Sequence, residues 1–292
     1  MTQVKENMKQ IRLIALDLDG TTLDSTGQLP LKNRKALERA AEEGIYVVVA
    51  SGRAVSTLPA QVLEIKGLSY AITSNGAAIC TMPQQTILRA YHLAQQDARA
   101  IIETADAFFE DCHGEKRLNY EVFVDGIAYA QEDYAKDASK FGGSKQETIY
   151  VRETRRPVPS IHRFMEEHID GLDSIDLIIH DTEKKEAVWK LLEKKGLDIY
   201  ITSSVPRLLE ISSSDCGKWA GIRHLLDILD IKPQQVIAFG DARNDLDMVE
   251  GAGIGVAMAN AHPALKKAAD YITGSNDESG VARALYALGI LK

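Results

Sequence analysis

The chain has 292 residues, a length that predicts more than one domain. Hydrophobic residues make up 45% and charged residues 26%, which is typical of a globular protein. A net charge of -8 argues against nucleic acid or an anionic membrane as the main partner, although a locally cationic site can still bind a small anion. Cys80, Cys112 and Cys216 lie far apart, which predicts neither a disulfide framework nor a zinc site. Without a signal-peptide pattern or a long apolar run, we expect a cytoplasmic protein.

The first elements in chain order alternate between buried strands and helices. Apolar runs at 11–16, 45–50 and 70–73 predict strands that are covered on both faces. A helical pattern at 31–43, ended by Gly44, separates the first two, and a second one reaches about residue 64. Strands that alternate with helices through short connections indicate a doubly wound parallel sheet.

The pattern changes between residues 85 and 211. A hairpin is predicted at 79–92, and a second one turns at Asp125-Gly126, a pair that favours a type I′ turn. Helices are predicted at 95–110, 133–140, 160–168 and 183–195, and strands at 175–180, 199–203 and 207–211. Arg152, Arg155 and Arg156 form a basic cluster, for which a solvated loop is favoured over contact with an anionic substrate. The block predicts an inserted α+β domain.

The α/β pattern returns after residue 212. Helices at 219–229, 244–251 and 279–288 and strands at 236–239, 254–258 and 271–273 are predicted. The fold class is therefore α/β, with a doubly wound, Rossmann-like parallel sheet core formed by residues 1–84 and 212–292. Residues 85–211 are predicted to form an inserted α+β cap domain.

Polar residues follow the C-terminal ends of three predicted strands. Asp17 and Asp19 follow the first strand, Ser51 the second, and Asp241 the strand at 236–239. If the first strand continued, Asp17 and Asp19 would share a face. Because ligands bind at the carboxyl edge of open parallel sheets, these side chains are expected to form one site.

These residues resemble the motifs of the haloacid dehalogenase (HAD) superfamily. The matching runs are Asp17-Leu18-Asp19-Gly20-Thr21, Ser51-Gly52-Arg53, Lys218, and Gly240-Asp241-Ala242-Arg243-Asn244-Asp245. The long insertion after the third strand resembles the large cap of the Cof-type phosphatase subgroup. One departure is Cys216-Gly217-Lys218-Trp219, because members of the subgroup usually have Asn before the lysine and Gly after it. The resemblance implies a phosphatase, a phosphoric monoester hydrolase that acts on small phosphorylated metabolites.

The residue types also fit phosphoryl transfer chemically. The Asp17 carboxylate can attack phosphorus and form an aspartyl phosphate, which divides one difficult step into two. Asp19 would protonate the leaving alcohol and then take a proton from water, which requires a raised pKa. The Lys218 ammonium, the Ser51 hydroxyl, the Asn244 amide and backbone N–H groups near Leu18 and Gly52 can bind phosphoryl oxygens.

A cation must bring the two anions together, and Mg²⁺ suits carboxylate oxygens. The predicted metal residues are Asp17, Asp19, Asp241 and Asp245, with Asp19 contributing its backbone carbonyl by family resemblance. An Asp at position 19 favours phosphatase or phosphomutase chemistry within the superfamily.

We therefore predict a Mg²⁺-dependent phosphatase of small phosphorylated metabolites, with sugar phosphates favoured and phosphorylated cofactors possible substrates. The alternatives are a phosphomutase with the same nucleophile and a non-enzymatic metabolite sensor. Neither nucleic acid nor a membrane is an expected partner, and the sequence leaves the oligomeric state open.

Overall fold

A computed structural model describes residues 11–110, 118–179 and 181–292. The chain divides into two compact units, the first made of Met1–Arg53, Leu58–Arg89 and Gly217–Lys292, and the second of Ala54–Thr57 and Ala90–Cys216. The predicted division into a core of residues 1–84 and 212–292 and a cap domain of residues 85–211 stays a prediction. Cys112 and the end of the predicted strand at His180 lie outside the described residues. No helix in the described ranges is both long and apolar enough to cross a membrane.

The first unit is built on an eight-stranded sheet with strand order β14-β13-β12-β1-β2-β3-β4-β5. Its strands are β1 (Leu13–Leu16), β2 (Tyr46–Ala50), β3 (Leu68–Thr73), β4 (Ala78–Thr81), β5 (Ile87–Ala90), β12 (Val236–Gly240), β13 (Ile254–Ala257) and β14 (Tyr271–Ile272). Every pairing from β14 to β3 is parallel, and β4 runs antiparallel to β3. The predicted α/β fold class is confirmed.

Apolar side chains explain this sheet. All four residues of β1 are buried, as are all five of β12, which is typical of parallel strands covered on both faces. The helices of this unit are α1 (Leu31–Glu42), α2 (Ala60–Leu63), α8 (Lys218–Leu229), α9 (Leu246–Gly251), α10 (Pro263–Ala268) and α11 (Gly280–Ala287). Helix α1 ends just before Gly44, whose φ of +83° suits a helix stop, as predicted.

The second unit contains a six-stranded sheet with strand order β10-β11-β9-β6-β7-β8. Its strands are β6 (Leu118–Val124), β7 (Ile127–Gln131), β8 (Arg156–Val158), β9 (Leu172–Ile179), β10 (Ile199–Thr202) and β11 (Leu208–Ser213). Its helices are α3 (Gln95–Glu110), α4 (Glu132–Lys136), α5 (Lys145–Thr154), α6 (Ile161–Glu167) and α7 (Thr182–Lys194). The Asp125-Gly126 turn joins β6 and β7 as predicted.

Two elements of the second unit were missed, and one interpretation is wrong. Helix α5 and strand β8 were not predicted, although α5 begins with the capping box of Ser144 and Glu147, which is a sequence signal. Arg155 does not lie in a solvated loop, because its side chain is only 8% exposed and bonds to Glu121. Its neighbours Arg152 and Arg156 are exposed.

Candidate active site

The site lies at the C-terminal ends of four neighbouring strands, in the sheet order β12, β1, β2 and β3. Asp241 follows β12, Asp17 follows β1, and Ser51 follows β2. The backbone N–H of Asp17 donates to the carbonyl of Phe239 at 3.0 Å, and that of Ser51 donates to Ile72 at 2.9 Å. These bonds continue the parallel ladders past the strand ends and therefore fix the first residues of the loops.

Lys218 is the central cation of the site. It is the first residue of α8 and is fully buried, and its Nζ donates to Asp17 Oδ1 at 2.7 Å and to Asp245 Oδ1 at 2.6 Å. Burial alone would lower the pKa of Lys218, but the carboxylates of Asp17 and Asp245 outweigh it and raise the pKa. The lysine is therefore a permanent positive charge between two acids, which excludes a solvated surface position.

Asp17, Asp241 and Asp245 form an acidic cluster, in which one oxygen from each carboxylate lies within 4.8 Å of the others. Burial raises the pKa of Asp17 well above its usual value, and repulsion by Asp245 and Asp241 adds to the effect of burial. Burial and the Asp245 carboxylate likewise raise the pKa of Asp241 to about 6. Lys218 alone leaves excess negative charge in the cluster, which a divalent cation would neutralise.

Asp245 supports the loop as well as the lysine. Its Oδ2 accepts the backbone N–H groups of Asp241 and Ala242, both at 2.9 Å, while its Oδ1 accepts Lys218. Because both oxygens are engaged, the main contribution of Asp245 is to fix the Asp241 loop and the lysine. Its predicted role as a direct metal ligand stays untested.

The run after Asp17 explains the Gly-Thr-Thr sequence. Strand β1 ends at Leu16, and a turn over Leu18–Thr22 follows, closed by the Leu23 N–H, which donates to the Leu18 carbonyl at 2.9 Å. Gly20 has a φ of +79°, and a Cβ there would lie 2.5 Å from Asp241 Oδ2, so only glycine fits beside that carboxylate. Thr21 Oγ1 donates to Asp241 Oδ1 at 2.8 Å. Sequence reasoning missed this role of Thr21, although the residue belongs to the quoted motif.

Asp19 does not share a face with Asp17. Because the strand stops before Asp17, the turn directs the Asp19 carboxylate away from the acidic cluster. The side chain of Asp19 is 57% exposed. Arg53 Nε and Nη2 each donate to one of its oxygens at 2.7 Å. The Asp19 side chain is outside the acidic cluster, and the roles predicted for it and for its backbone carbonyl stay predictions.

The remaining predicted phosphate-binding residues lie around the same edge. Leu18, Ser51 and Asn244 are buried, and Gly52 is half-buried. Ser51 Oγ accepts the backbone N–H of Arg53 at 3.2 Å, so its own proton can still be donated. Asn244 Nδ2 donates to Asn75 Oδ1 at 3.1 Å. Asn75 was not predicted as a site residue, although it directly follows the third buried strand at the same edge.

The departure from the family pattern around Lys218 is accommodated locally. Gly217 has a φ of +130°, a conformation that favours glycine, and its N–H donates to the Asn75 carbonyl at 2.8 Å. Trp219 packs on Gly251, where a Cβ would lie 2.2 Å from the indole ring. The backbone N–H of Trp219 donates to Asp247 Oδ2 at 3.0 Å. The unusual flanking residues therefore leave Lys218 in contact with the acids.

A buried lysine between carboxylates at this sheet edge suits phosphoryl transfer, and comparison with known proteins gives the same class. A sequence model of haloacid dehalogenase-like hydrolases matches residues 14–285. Phosphatase YwpJ of Bacillus subtilis is 32% identical over 286 residues, covering 93% of this chain and 98% of the relative. The 5-amino-6-(5-phospho-D-ribitylamino)uracil phosphatase YcsE of the same organism is 29% identical, with 94% of each chain covered.

A solved haloacid dehalogenase-like hydrolase from B. subtilis aligns with a TM-score of 0.78 at 29% identity, covering 94% of this chain and 99% of that one. The protein is a phosphoric monoester hydrolase. It belongs to the haloacid dehalogenase-like hydrolases, and the predicted Cof-type phosphatase resemblance is confirmed.

Proposed function

We propose that the protein is a Mg²⁺-dependent phosphatase that hydrolyses small phosphorylated metabolites through an aspartyl phosphate on Asp17. The observation that carries this proposal is the fully buried Lys218, which donates to Asp17 and Asp245 within a group of three convergent carboxylates. A purely structural ion pair would not need the additional carboxylate of Asp241, which raises the cost of burial.

Asp17 is the proposed nucleophile because Lys218 orients its carboxylate and two further bonds fix its backbone. Lys218 binds Oδ1, Thr22 Oγ1 donates to the backbone carbonyl at 2.6 Å, and the backbone N–H bonds to Phe239. One carboxylate oxygen would form a bond to phosphorus as the bond between phosphorus and the leaving oxygen breaks. Water then attacks phosphorus, releases inorganic phosphate and restores the carboxylate.

Asp17 and Asp241 are the proposed side-chain ligands of Mg²⁺. Burial and the neighbouring carboxylates raise the pKa values of both groups, and glycine at position 20 leaves space beside Asp241. When bound, Mg²⁺ neutralises charge on the phosphoryl oxygens and lowers the repulsion between substrate and nucleophile. Thr21 and Asp245 would orient Asp241 for this role, through its side chain and its backbone respectively.

Donors for the phosphoryl oxygens remain on the residues predicted for that role. Lys218 uses two of its three N–H protons on Asp17 and Asp245, and the third is proposed to bind the phosphoryl group. The Ser51 hydroxyl accepts from Arg53 and donates its own proton. The second N–H of Asn244 and the backbone N–H groups near Leu18 and Gly52 would complete the set.

Asp19 is the proposed acid and base. As a carboxylate it can take a proton from water in the second step. In the first step it must carry a proton, and a neutral acid cannot keep both charge-assisted bonds to Arg53. We therefore propose that Arg53 loosens its contact with Asp19 when the substrate binds.

Small phosphorylated metabolites are the proposed substrates, with sugar phosphates favoured. The name of the relative YcsE specifies a phosphorylated ribityl chain, which is chemically close to a sugar phosphate. The phosphatase class of this chain and that name together support the choice. A cytoplasmic location also belongs to the proposal and rests on the sequence.

A phosphate-release screen tests the proposal. Sugar phosphates, phosphorylated polyols, nucleotides and pyridoxal phosphate would be incubated with the protein, with Mg²⁺ and with chelator. We expect Mg²⁺-dependent release that favours sugar or polyol phosphates. Full activity in chelator would contradict the metal assignment, interconversion without phosphate release would identify a mutase, and inactivity across the panel would favour a sensor.

A further inference from the structure

The turn Ser74–Gly76 after β3 has an unusual backbone. Ser74, Asn75 and Gly76 have φ values of +48°, +49° and +100°, so three successive residues lie in the left-handed region. This conformation is unfavourable for residues other than glycine, and it persists only where surrounding contacts impose it. Such backbone strain is concentrated at functional sites, where the surrounding contacts hold a residue in place.

The turn is fixed to the loop that carries Ser51. The N–H of Ser74 donates to the carbonyl of Arg53 at 2.9 Å, and the N–H of Asn75 donates to the carbonyl of Ser51 at 3.0 Å. All of these residues belong to the first unit. The turn and the Ser51 loop therefore form one hydrogen-bonded structure at the sheet edge.

The turn also contacts the start of α8. The Asn75 carbonyl accepts the N–H of Gly217 at 2.8 Å, and Gly217 directly precedes Lys218. A Cβ at Gly76 would lie 2.4 Å from the Gly217 carbonyl oxygen, so the two backbones are in close contact. The backbone of Asn75 thereby helps to fix the first turn of the helix that carries the buried lysine.

The side chain of Asn75 has a separate contact. Its Oδ1 accepts from Asn244 Nδ2 at 3.1 Å, and both residues are buried. Asn244 Oδ1 is buried and has no hydrogen-bond partner among the described residues. The bond to Asn75 therefore fixes the orientation of the Asn244 amide. It sets the direction in which Oδ1 and the second N–H of Nδ2 point.

We propose that Asn75 is a positioning residue of the phosphatase site that orients the Asn244 amide through its side chain. Its backbone contacts to Ser51 and Gly217 fix Asn75 itself, so one residue relates three segments of the site. The inference rests on the proposed role of Asn244 in binding the phosphoryl group. Asn suits this position because it tolerates a positive φ better than most residues and also supplies an acceptor.

Asn75→Gly separates the side chain from the backbone, because glycine adopts the same φ and retains both backbone bonds. We expect kcat/KM for p-nitrophenyl phosphate with Mg²⁺ to fall roughly tenfold, the loss of one orienting hydrogen bond. Asp230→Gly is the matched control, because Asp230 also has a φ of +49° and lies at the opposite end of α8. That variant should keep the parent kcat/KM.

A double-mutant cycle then tests whether Asn75 acts through Asn244. Asn244→Ala and the double variant Asn75→Gly/Asn244→Ala should have the same kcat/KM within about twofold, because the second change removes a contact that is already lost. Losses that multiply, parent activity in Asn75→Gly, or an equal loss in Asp230→Gly would each overturn the proposal.

The dissociation constant of inorganic phosphate with Mg²⁺, measured by calorimetry over the same variants, should follow the same cycle. This arm still tests the positioning role if the parent protein releases no phosphate from any ester, an outcome that would overturn the proposed function instead. Parent phosphate affinity in Asn75→Gly would overturn the positioning role whatever the enzyme hydrolyses.

Discussion

Each of the two units groups three carboxylates with one cation whose side chain is buried, yet the arrangements differ. In the first unit these residues are Asp17, Asp241, Asp245 and Lys218. In the second unit they are Glu121, Asp176, Glu210 and Arg155. The three acids of the first group lie beyond the ends of β1 and β12, and one oxygen of each lies within 4.8 Å of the others. The three acids of the second group lie within β6, β9 and β11, where they are direct neighbours across the strands.

Strand spacing explains the difference. Neighbouring strands lie about 4.8 Å apart, so the backbone positions of three acids in a row span roughly twice that distance. Among the described residues, Asp17, Asp241 and Asp245 bring one oxygen each within 4.8 Å of one another, whereas the three acids in the row do not. Loops beyond strand ends can instead direct side chains to a common point. The cations differ in the same way, because Lys218 bridges two acids whereas Arg155 uses Nε and Nη2 on Glu121 Oε2 alone.

The two groups therefore relieve their charge differently. In the row formed by Glu121, Asp176 and Glu210, burial raises the pKa of Asp176 well above its usual value. Repulsion by Glu210 and Glu121 adds to this effect. We expect a proton on Asp176 to reduce the negative charge of this row, and a divalent cation to neutralise the convergent site of Asp17, Asp241 and Asp245. Buried acids therefore indicate a metal site only when their backbone positions let the carboxylate oxygens converge.

The largest expected effect is in the convergent site. Asp17→Asn should reduce phosphate release by at least about 10³-fold while the protein stays folded, because an amide is a poor nucleophile and a poor Mg²⁺ ligand. Asp176→Asn is the same change in the row and should keep Mg²⁺-dependent turnover. Retention of a tenth of the activity in Asp17→Asn would remove it from the nucleophile role.

Arg155→Met should have the next largest effect, on stability. It leaves three buried acids without their cation, and removal of one partner of a buried ion pair costs about 3–5 kcal/mol. The free energy of unfolding would be measured in urea. The double variant Glu121→Gln/Arg155→Met should recover part of the loss, and an unchanged unfolding midpoint in Arg155→Met would show that the row does not need the guanidinium.

A lower pH should weaken Mg²⁺ binding at the convergent site. The pKa of Asp241 is raised to about 6, so below that pH the metal must displace a proton and its dissociation constant should rise about tenfold per pH unit. Calorimetric Mg²⁺ titrations about one pH unit below this pKa and about one pH unit above it would measure the change. A constant affinity over that range would contradict the assignment of Asp241 as a ligand.

Asp176→Asn should give the smallest effect, a stabilisation on the order of 1 kcal/mol near neutral pH. Because the folded pKa of Asp176 is raised, its protonated form stabilises the native state below the unfolded value of about 3.9, and this contribution is lost as pH rises through the folded value. The difference between variant and parent should therefore grow with rising pH. A difference that is independent of pH would exclude a proton on Asp176.

The sequence predicted the sheet and the place of the site because both follow from local patterns. Buried strands are continuous apolar runs, and parallel strands bring Asp17, Ser51 and Asp241 to one edge whatever the loops do. The direction of Asp19 could not be predicted, since it depends on the turn that ends β1 at Leu16. The same limit applies to Arg155, because its partner Glu121 lies 34 residues earlier in the sequence.

The central claim, that Asp17 becomes phosphorylated, is tested most directly in Asp19→Asn. With an aryl phosphate the leaving group departs without protonation, while water attack lacks its base, so the covalent intermediate should accumulate. Peptide mass spectrometry after rapid acid quench should find a hydroxylamine-sensitive phosphoryl group on the peptide that contains Asp17, only when Mg²⁺ is present. Turnover of the aryl phosphate without any labelled peptide would contradict the account and favour direct attack by water.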